Sequence, residues 1–371
     1  MFATSFFRAS YAYILKPILF CFDPEDVHDL ATQTGILLGR FPITQAITRH
    51  LFDFRHHSLE QNVLGIHFSN PVGLAAGFDK NAELIDIMGP VGFGFSEVGS
   101  ITGESCTGNP KPRLWRLPKS EGIMVWYGLK NKGSKEISNR LQRKSFSIPI
   151  GTSVARTNDA TTVEIEAGIA DYIKAFSAMA TIGAYTTVNI SCPNTCGGEP
   201  FTTPERLERL LTELDKIPTE KPIFLKFPSD IPFTNADALI DVAKKHRVNG
   251  FVIANLTKEY SASTIDQSEI SNEMKGGIGG KPTFSLSNAL ISHAYSSAGD
   301  RFTIIGVGGI FTAEDAYAKI RAGASLVQLA TGMIFRGPQL IGEINKGLVE
   351  LLARDGFTNI AQAVGADHRK A

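Results

Sequence analysis

The chain has 371 residues, of which 43% are hydrophobic and 20% are charged, a composition that excludes a disordered protein. Its 37 Lys and Arg residues balance 37 Asp and Glu residues, so no excess of positive charge indicates a nucleic-acid partner. The four cysteines are too few and scattered for a disulfide framework and complete no zinc-binding pattern, so we expect a reducing, cytoplasm-facing location.

The first 42 residues are predicted to form a region of their own, with helices. Residues 1–22 are rich in Phe, Tyr, Leu and Ile, but basic residues interrupt them, so no stretch reaches the roughly 20 apolar residues that cross a bilayer. Asp23 and Pro24 are typical of a helix start, and a second amphipathic run continues to about Phe41. Two short helices with bulky apolar faces indicate an interfacial membrane anchor. The alternative is that they pack on the protein's own core.

From Asn70 onward, short apolar runs alternate with amphipathic helical runs. The candidate strands are Val72–Gly77, Gly94–Ile101, Ile148–Val154, Tyr185–Ile190, Ile223–Phe227, Gly250–Leu256, Phe302–Val307 and Leu326–Leu329. The candidate helices are Asn81–Val91, Ser134–Leu141, Val163–Ala180, Pro204–Leu214, Asn235–His246, Ser285–Ser297 and Ala313–Ala322. This alternation predicts an α/β fold, a (β/α)₈ TIM barrel within residues 43–371. A doubly wound open sheet is the alternative, but its glycine fingerprint after the first strand is missing.

Polar residues or glycines end seven of the eight predicted strands, where a barrel of this kind carries its active groups. The most informative end is the segment from Asn189 to Thr195, whose first six residues place two amides, a hydroxyl, a thiol and a proline close together. A buried polar group without a partner costs roughly 1–3 kcal/mol, so we expect these side chains to line a pocket for a flat polar ligand. The alternative is an ordinary turn capped by Asn and Pro.

Glycines follow the last three predicted strands, at Gly276–Gly280, Gly308-Gly309 and Thr331-Gly332. Glycine lets backbone N–H groups approach a phosphate, and the loops after strands seven and eight are the usual phosphate site of such barrels. We therefore predict a phosphate site at this side of the barrel mouth. Flexible loops without a ligand are the alternative.

Two lysines and a cysteine add chemistry to this mouth. Lys226 lies inside an apolar strand, and Lys80 follows the first strand; either one alone is also typical of an ordinary ion-pair partner. Together with a phosphate site, they indicate FMN, whose reduced ring a cation stabilises, beside a small planar substrate. Cys192 as a thiolate can take a proton from a carbon next to a carbonyl while hydride leaves the adjacent carbon. An inert buried cysteine is the alternative.

These motifs resemble the dihydroorotate dehydrogenase family over nearly the whole chain, and most closely its membrane-associated, quinone-dependent class. The motifs that carry the resemblance are Gly73–Lys80, Glu97–Ser100, Gly108–Arg113, Asn189–Thr195, Gly276–Pro282 and Ile305–Gly309. The resemblance implies oxidation of dihydroorotate to orotate, with electrons passed through FMN to ubiquinone. It also implies that the N-terminal helices bind the membrane and form a quinone tunnel, which gives a peripheral membrane protein on the cytoplasmic face.

The resemblance assigns roles to individual residues. FMN would contact Ala75, Ala76, Gly77, Lys80, Ser100, Ser153, Asn189, Lys226, Gly280, Gly308, Gly309 and Thr331. The substrate, dihydroorotate or an analogue, would contact Lys80, Asn189, Asn194 and Asn255. Cys192 would be the catalytic base, and Arg116 falls where the family has a quinone-site arginine.

The chain departs from the family at the substrate site. The predicted base is a cysteine, Cys192, as in the soluble class of the family, whereas the quinone-dependent class uses Ser. Val125 stands where the family has a substrate-binding Asn, Leu256 where it has a hydroxyl residue, and Ala330 where Tyr is common. The run Cys-Gly-Gly-Glu at 196–199 also differs from the usual Pro-Gly-Leu-Arg type. Two alternatives therefore stay open. The first is an FMN oxidoreductase of the same fold that acts on a C–C bond of a different, less polar substrate. The second is a non-catalytic flavin-binding membrane protein.

Overall fold

A computed structural model describes the backbone of residues 2–369 and the side chains of residues 6–299 and 301–369. Helical segments precede the barrel, at Phe2–Ser10, Tyr11–Leu15 (a π-helical stretch), Lys16–Phe20, Pro24–Arg40 and Pro42–Phe52. The predicted helix start is confirmed: the Asp23 carboxylate accepts hydrogen bonds from the backbone N–H groups of Glu25 and Asp26, and Pro24 opens the helix. No helix in residues 2–369 has the length and apolar character to cross a membrane.

Eight parallel strands close into a barrel, which confirms the predicted fold. The barrel strands are Val72–Leu74, Phe95–Thr102, Ile150–Ala155, Tyr185–Asn189, Ile223–Phe227, Gly250–Ile253, Thr303–Val307 and Leu326–Leu329. Each strand pairs with the next in the chain, and the eighth pairs with the first through Val327 and Val72. The strands are buried on both faces because the side chains of one face fill the barrel and those of the other pack under the helices.

Helices follow the strands in the order that a barrel requires. They are Ile85–Val91, Ser134–Leu141, Ile165–Met179, Pro204–Leu214, Phe233–Ala243, Phe284–Ala298, Ala313–Arg321, Thr331–Arg336, Leu340–Arg354 and Ile360–Ala363. The predicted helix from Asn81 begins only at Ile85. The Asp79 carboxylate accepts hydrogen bonds from the backbone N–H groups of Glu83 and Leu84, and these bonds hold the residues before Ile85 in turns. The first strand likewise ends at Leu74 rather than Gly77.

Two smaller sheets cover the ends of the barrel. A hairpin of Gln61–Val63 and Ile66–Phe68 inserts Phe68 against the barrel-interior residue Phe95, with ring centroids 5.4 Å apart. An antiparallel sheet joins Leu114–Leu117, Gly122–Val125 and Gly277–Gly280. The glycine-rich segment after the sixth strand, expected as a loop, is therefore largely a strand.

The long N-terminal helix Pro24–Arg40 is held to the barrel by a buried ion cluster. The Glu25 carboxylate accepts hydrogen bonds from Arg113 Nη2 at 2.8 Å and Nε at 3.0 Å, and from Lys130 Nζ at 3.0 Å. Burial alone would raise the pKa of Glu25, but these two cations lower it to about 2. The charge of Glu25 is thus fixed, and the helix is docked over the barrel mouth.

The N-terminal helices pack on the barrel with one face and leave another apolar face outside. Gly35 and Gly39 allow the long helix to approach Leu84 and Ile87. Large apolar side chains on the other side stay exposed, among them Phe6, Tyr13, Ile18, Leu30, Leu37, Ile43 and Ile47. The sequence left two interpretations of these helices, a membrane anchor and packing on the protein's own core. The structure shows both an exposed apolar face and a face packed on the barrel.

Candidate active site

A continuous cavity of about 700 Å³ runs from the N-terminal helices to the C-terminal ends of the barrel strands. It brings together most of the side chains that the sequence singles out. The residues among them that line it are Ala76, Gly77, Lys80, Ser100, Arg116, Asn189, Cys192, Asn194, Lys226, Asn255 and Thr331. Ala75, Ser153, Gly280, Gly308 and Gly309 are absent from this lining and lie behind or beside it.

Asn189 is fixed in orientation at the end of the fourth barrel strand. Its Nδ2 donates to Ser100 Oγ at 2.8 Å, and its Oδ1 accepts from the backbone N–H and the hydroxyl of Ser191. Ser153 lies behind Ser100, with the two hydroxyl oxygens 2.7 Å apart. The Ser153 hydroxyl is therefore joined to the cavity lining through Ser100, and its contact with FMN stays a prediction.

The other two predicted cage asparagines use their amide donors within the protein. Asn194 Nδ2 donates to the backbone oxygen of Val125 at 2.8 Å. Asn255 Nδ2 donates to the backbone oxygen and hydroxyl of Ser191, at 2.5 and 3.0 Å. Among the described residues, no donor binds Oδ1 of Asn194 or Asn255, so each amide offers a hydrogen-bond acceptor to N–H groups of a ligand.

Lys80 and Lys226 face the cavity without an anionic partner. No carboxylate in the described part of the chain lies within 4.0 Å of either ammonium, so neither lysine forms the ordinary ion pair that was the alternative for it. Burial and the nearby Lys130 lower the pKa of Lys80 to about 8, and its ammonium lies 4.1 Å from the centre of the Tyr127 ring. Burial also lowers the pKa of Lys226, against the attraction of Glu97. Two cations are thus available to an anionic or electron-rich ligand.

The Cys192 thiol is half-buried and lines the same cavity. Burial raises its pKa to about 11, although the backbone N–H of Asn194 and the Lys226 ammonium act in the opposite direction. Without a ligand the thiol is therefore protonated at neutral pH. Its use as a base requires that something removes this proton.

A glycine cradle lies beside the cavity, where the phosphate site was predicted. Gly280, Gly308 and Gly309 have positive φ values of 99°, 107° and 73°. A Cβ at Gly308 would lie 2.5 Å from Thr283 Oγ1, and one at Gly309 2.5 Å from Phe284 Cβ, so only glycine brings the backbone this close to the start of the helix Phe284–Ala298. Backbone N–H groups at a helix N-terminus suit a phosphate. The cradle and the cavity together fit a planar ring with a phosphate tail.

Ala75, which was predicted to contact FMN, is 5% exposed and belongs to the barrel core.

The far end of the cavity is apolar and contains isolated polar side chains from the strand Leu114–Leu117 and from the N-terminal helices. Arg116 Nη1 donates to the Phe22 backbone oxygen at 2.8 Å, and its guanidinium lies 4.6 Å from the Phe20 ring centre. Tyr11 and His28 also line this end. Sequence reasoning missed both, because one polar residue on an apolar helical face gives no signal before the helix is placed over the barrel.

The three apolar departures from the family pattern all line the cavity. Val125 ends the strand Gly122–Val125, and the Leu256 side chain packs against Gly277, where a Cβ would lie 2.5 Å from Leu256 Cβ. Ala330 lies next to Thr331 at the end of the eighth strand. The cavity wall is thus apolar at these three positions, at one side of the predicted substrate position.

The comparisons with known proteins agree with one another. The family model described as "Dihydroorotate dehydrogenase" matches residues 58–352. A Nocardia farcinica protein named dihydroorotate dehydrogenase (quinone) is 36% identical over 363 residues, which cover 97% of both chains. A Parvibaculum lavamentivorans protein of the same name is 37% identical over 359 residues, 95% of this chain and 98% of that one.

A solved structure of the Eimeria tenella dihydroorotate dehydrogenase in complex with ferulenol has a TM-score of 0.83 and 30% identity, and the match covers 94% of this chain and 96% of that one. The ligand-free form of that enzyme has a TM-score of 0.81 over 94% and 100% of the two chains. Sequence identity and fold similarity therefore both extend over nearly the full length of the chain and indicate the same family. The chain belongs to the dihydroorotate dehydrogenase family, in its quinone-dependent class.

Proposed function

We propose that the chain is an FMN-dependent oxidoreductase that converts dihydroorotate to orotate and passes the electrons to a quinone. The observation that carries this proposal is the continuous cavity that joins the barrel mouth to the N-terminal helices. Relatives named for this reaction and for a quinone, at 34–37% identity over nearly the whole chain, support it. The protein is thus an enzyme acting on a CH–CH bond.

FMN fits the donor set beside the barrel mouth. Its phosphate would lie at Gly280, Gly308 and Gly309, and its ring beside Lys226 and Thr331. When bound, FMN supplies the two-electron acceptor of the reaction. The chain contributes the buried cation of Lys226, which stabilises negative charge at the ring, and the fixed Asn189 amide, which orients what lies next to it.

Dihydroorotate would lie against the ring, with its carboxylate at Lys80 and its ring N–H groups at the oxygens of Asn194 and Asn255. Cys192 would remove the proton from the carbon next to the carbonyl. Because the thiol pKa is about 11 and the thiolate is the base, the rate of this step should rise with pH through the neutral range.

The quinone would reach the flavin through the apolar end of the cavity, past Arg116. We further propose that residues 1–42 form the region that meets the membrane surface, with their exposed apolar side chains and those of the adjoining helix Pro42–Phe52 as the contact. This gives a peripheral protein on the cytoplasmic face, in which residues 43–371 form the flavin-binding barrel.

A second candidate function rests on Val125 and Leu256, which line the cavity. Their apolar side chains favour a substrate that is larger or less polar than dihydroorotate. Each unpaired polar group of orotate would weaken binding by about 1–3 kcal/mol. In this case the reaction on the CH–CH bond stays the same, but dihydroorotate is a poor substrate.

Two experiments test the function. The purified protein is assayed for bound FMN, and its flavin spectrum is titrated with orotate; a saturable spectral change supports the proposed site. Expression in a strain that lacks dihydroorotate dehydrogenase should restore growth without added pyrimidine. Folded, FMN-containing protein that shows no spectral change and no rescue would favour the second candidate.

A further inference from the structure

Lys319 is a buried lysine behind the glycine cradle. It lies on the helix Ala313–Arg321 and its side chain is fully buried. Its Nζ donates to Ser287 Oγ at 2.9 Å and to Asn288 Oδ1 at 2.8 Å. In the part of the chain that the structure describes, no carboxylate lies within 4.0 Å of this ammonium. A buried cation without an anion is costly, so Lys319 destabilises the fold unless an anion joins it.

Ser287 joins this ammonium to the backbone of the cradle. Its hydroxyl accepts from Lys319 and donates to the Val307 backbone oxygen at 2.6 Å. The Ala254 N–H donates to the same oxygen at 3.2 Å, so the peptide between Val307 and Gly308 is held in one orientation. In a trans peptide the N–H points away from the C=O. The Gly308 N–H therefore points away from Ser287, and it has no hydrogen-bond acceptor among the residues that the structure describes.

Lys319 also lies close to the second glycine of the cradle, Gly309. Its Nζ is 5.1 Å from the centre of the Phe284 ring, and a Cβ at Gly309 would lie 2.5 Å from Phe284 Cβ. On the barrel side, Lys319 Cδ would lie 3.3 Å from a Cβ at Gly306. The ammonium is thus separated from the two glycines by single side chains, Ser287 on one side and Phe284 on the other.

The surroundings of Lys319 leave its positive charge without a full counter-charge. Burial lowers the pKa of Lys319 to about 7, and Asp315 acts in the opposite direction. The Asp315 carboxylate is itself paired with Lys281 Nζ, at 3.2 and 3.3 Å, and accepts the backbone N–H groups of Phe311 and Thr312. An anion bound at the cradle would favour the charged form of Lys319 and be stabilised by it.

We propose that Lys319 is a positioning residue for the FMN phosphate. It supplies a buried positive charge behind the cradle and, through Ser287, fixes the peptide that presents the Gly308 N–H. Because its side chain is fully buried, it acts without contact with the ligand. A flavin without a phosphate should therefore gain nothing from it. This inference rests on the proposed function, which supplies FMN at this site, but it is independent of the substrate that the flavin oxidises.

The Lys319→Met variant tests this role with two flavins. The FMN-loaded protein is titrated with riboflavin, which has the same ring but no phosphate, and the displaced FMN is measured after filtration. The ratio of the two affinities should shift towards riboflavin by roughly tenfold to a hundredfold, because only FMN loses the attraction of the cation. With saturating riboflavin, the unfolding temperature should be unchanged or higher, because an uncompensated buried charge has been removed.

Two further variants separate the charge from other effects. Lys319→Gln keeps a donor for Ser287 but removes the charge, so its affinity ratio should shift as in Lys319→Met. Lys346→Met removes one positive charge from the exposed face of the helix Leu340–Arg354, and its ratio should stay within about twofold of the wild type because solvent screens that charge.

Each outcome decides the role of Lys319. An unchanged ratio in folded Lys319→Met overturns the proposal, as does a wild-type ratio in Lys319→Gln, because the charge is then not needed. Equal weakening of both flavins with a lower unfolding temperature also overturns it, since that pattern needs only a structural role. If Lys319→Met does not fold, the ratio of Lys319→Gln decides. Wild-type protein that holds FMN but is not reduced by dihydroorotate would overturn the proposed substrate, while the flavin ratio still decides the role of Lys319.

Discussion

Val125→Asn should strengthen the binding of orotate. Val125 lines the cavity, and its backbone is held by pairing with Leu114 and Gly277 and by the hydrogen bond from Asn194 Nδ2 to its carbonyl oxygen. The strand should therefore stay in place, and the new amide should extend into the cavity. One hydrogen bond to a group that is otherwise buried without a partner contributes about 1–3 kcal/mol, or roughly fivefold to 150-fold in Kd.

The assay is a titration of the FMN-loaded protein with orotate, followed by the flavin absorbance. Val63→Asn is the matched control, because Val63 lies on the short hairpin strand Gln61–Val63 and not in the cavity lining; its Kd should stay within about twofold of the wild type. An unchanged or weaker affinity of Val125→Asn, with FMN retained, would refute the reasoning, since it would mean that no polar edge of orotate lies against residue 125.

Three further predictions concern the charged residues. Lys226→Met should lower the midpoint potential of bound FMN, because the reduced ring loses a buried cation; an equal potential in a spectroelectrochemical titration would argue against Lys226 as a flavin contact. Glu25→Gln should destabilise the protein by roughly 3–5 kcal/mol in urea unfolding, because Arg113 stays buried without its anion, while exposed Lys111→Met should cost less than about 1 kcal/mol. The pKa of Glu25 falls from 4.5 to about 2, so this stabilisation is complete above pH 4.5 and is lost as the pH falls towards 2. Orotate affinity should weaken above pH 8 as Lys80 loses its charge, and a Lys80→Met variant that keeps this pH dependence would contradict the assignment.

The barrel was predictable because each of its layers leaves a pattern in the sequence. Strands buried on both faces appear as short apolar runs, and the helices that cover them appear as longer amphipathic ones. The strand Gly277–Gly280 was not predictable, because glycines show no alternation and this strand exists through its pairing with Gly122–Val125. The ion pair of Glu25 and Arg113 joins positions 88 residues apart, which no local pattern reveals.

The site was predictable to the level of residue types, and less so to the level of contacts. Asn189, Cys192 and Lys226 follow or end strands, so the barrel places them together at its mouth. Two features of the site depend on side chains from several strands at once: which amide N–H groups of the asparagines are already hydrogen-bonded, and whether a lysine has an anionic partner. The position of Lys319 behind the cradle depends on its contact with Ser287 of a neighbouring helix, which no local pattern reveals.

The most direct measurement is an anaerobic stopped-flow mix of the yellow, FMN-loaded protein with L-dihydroorotate, followed at the oxidised flavin band. If dihydroorotate is the substrate, the band bleaches within seconds and its colour returns on addition of a quinone. An unchanged band, in protein whose flavin dithionite still reduces, would contradict dihydroorotate as the substrate of this cavity.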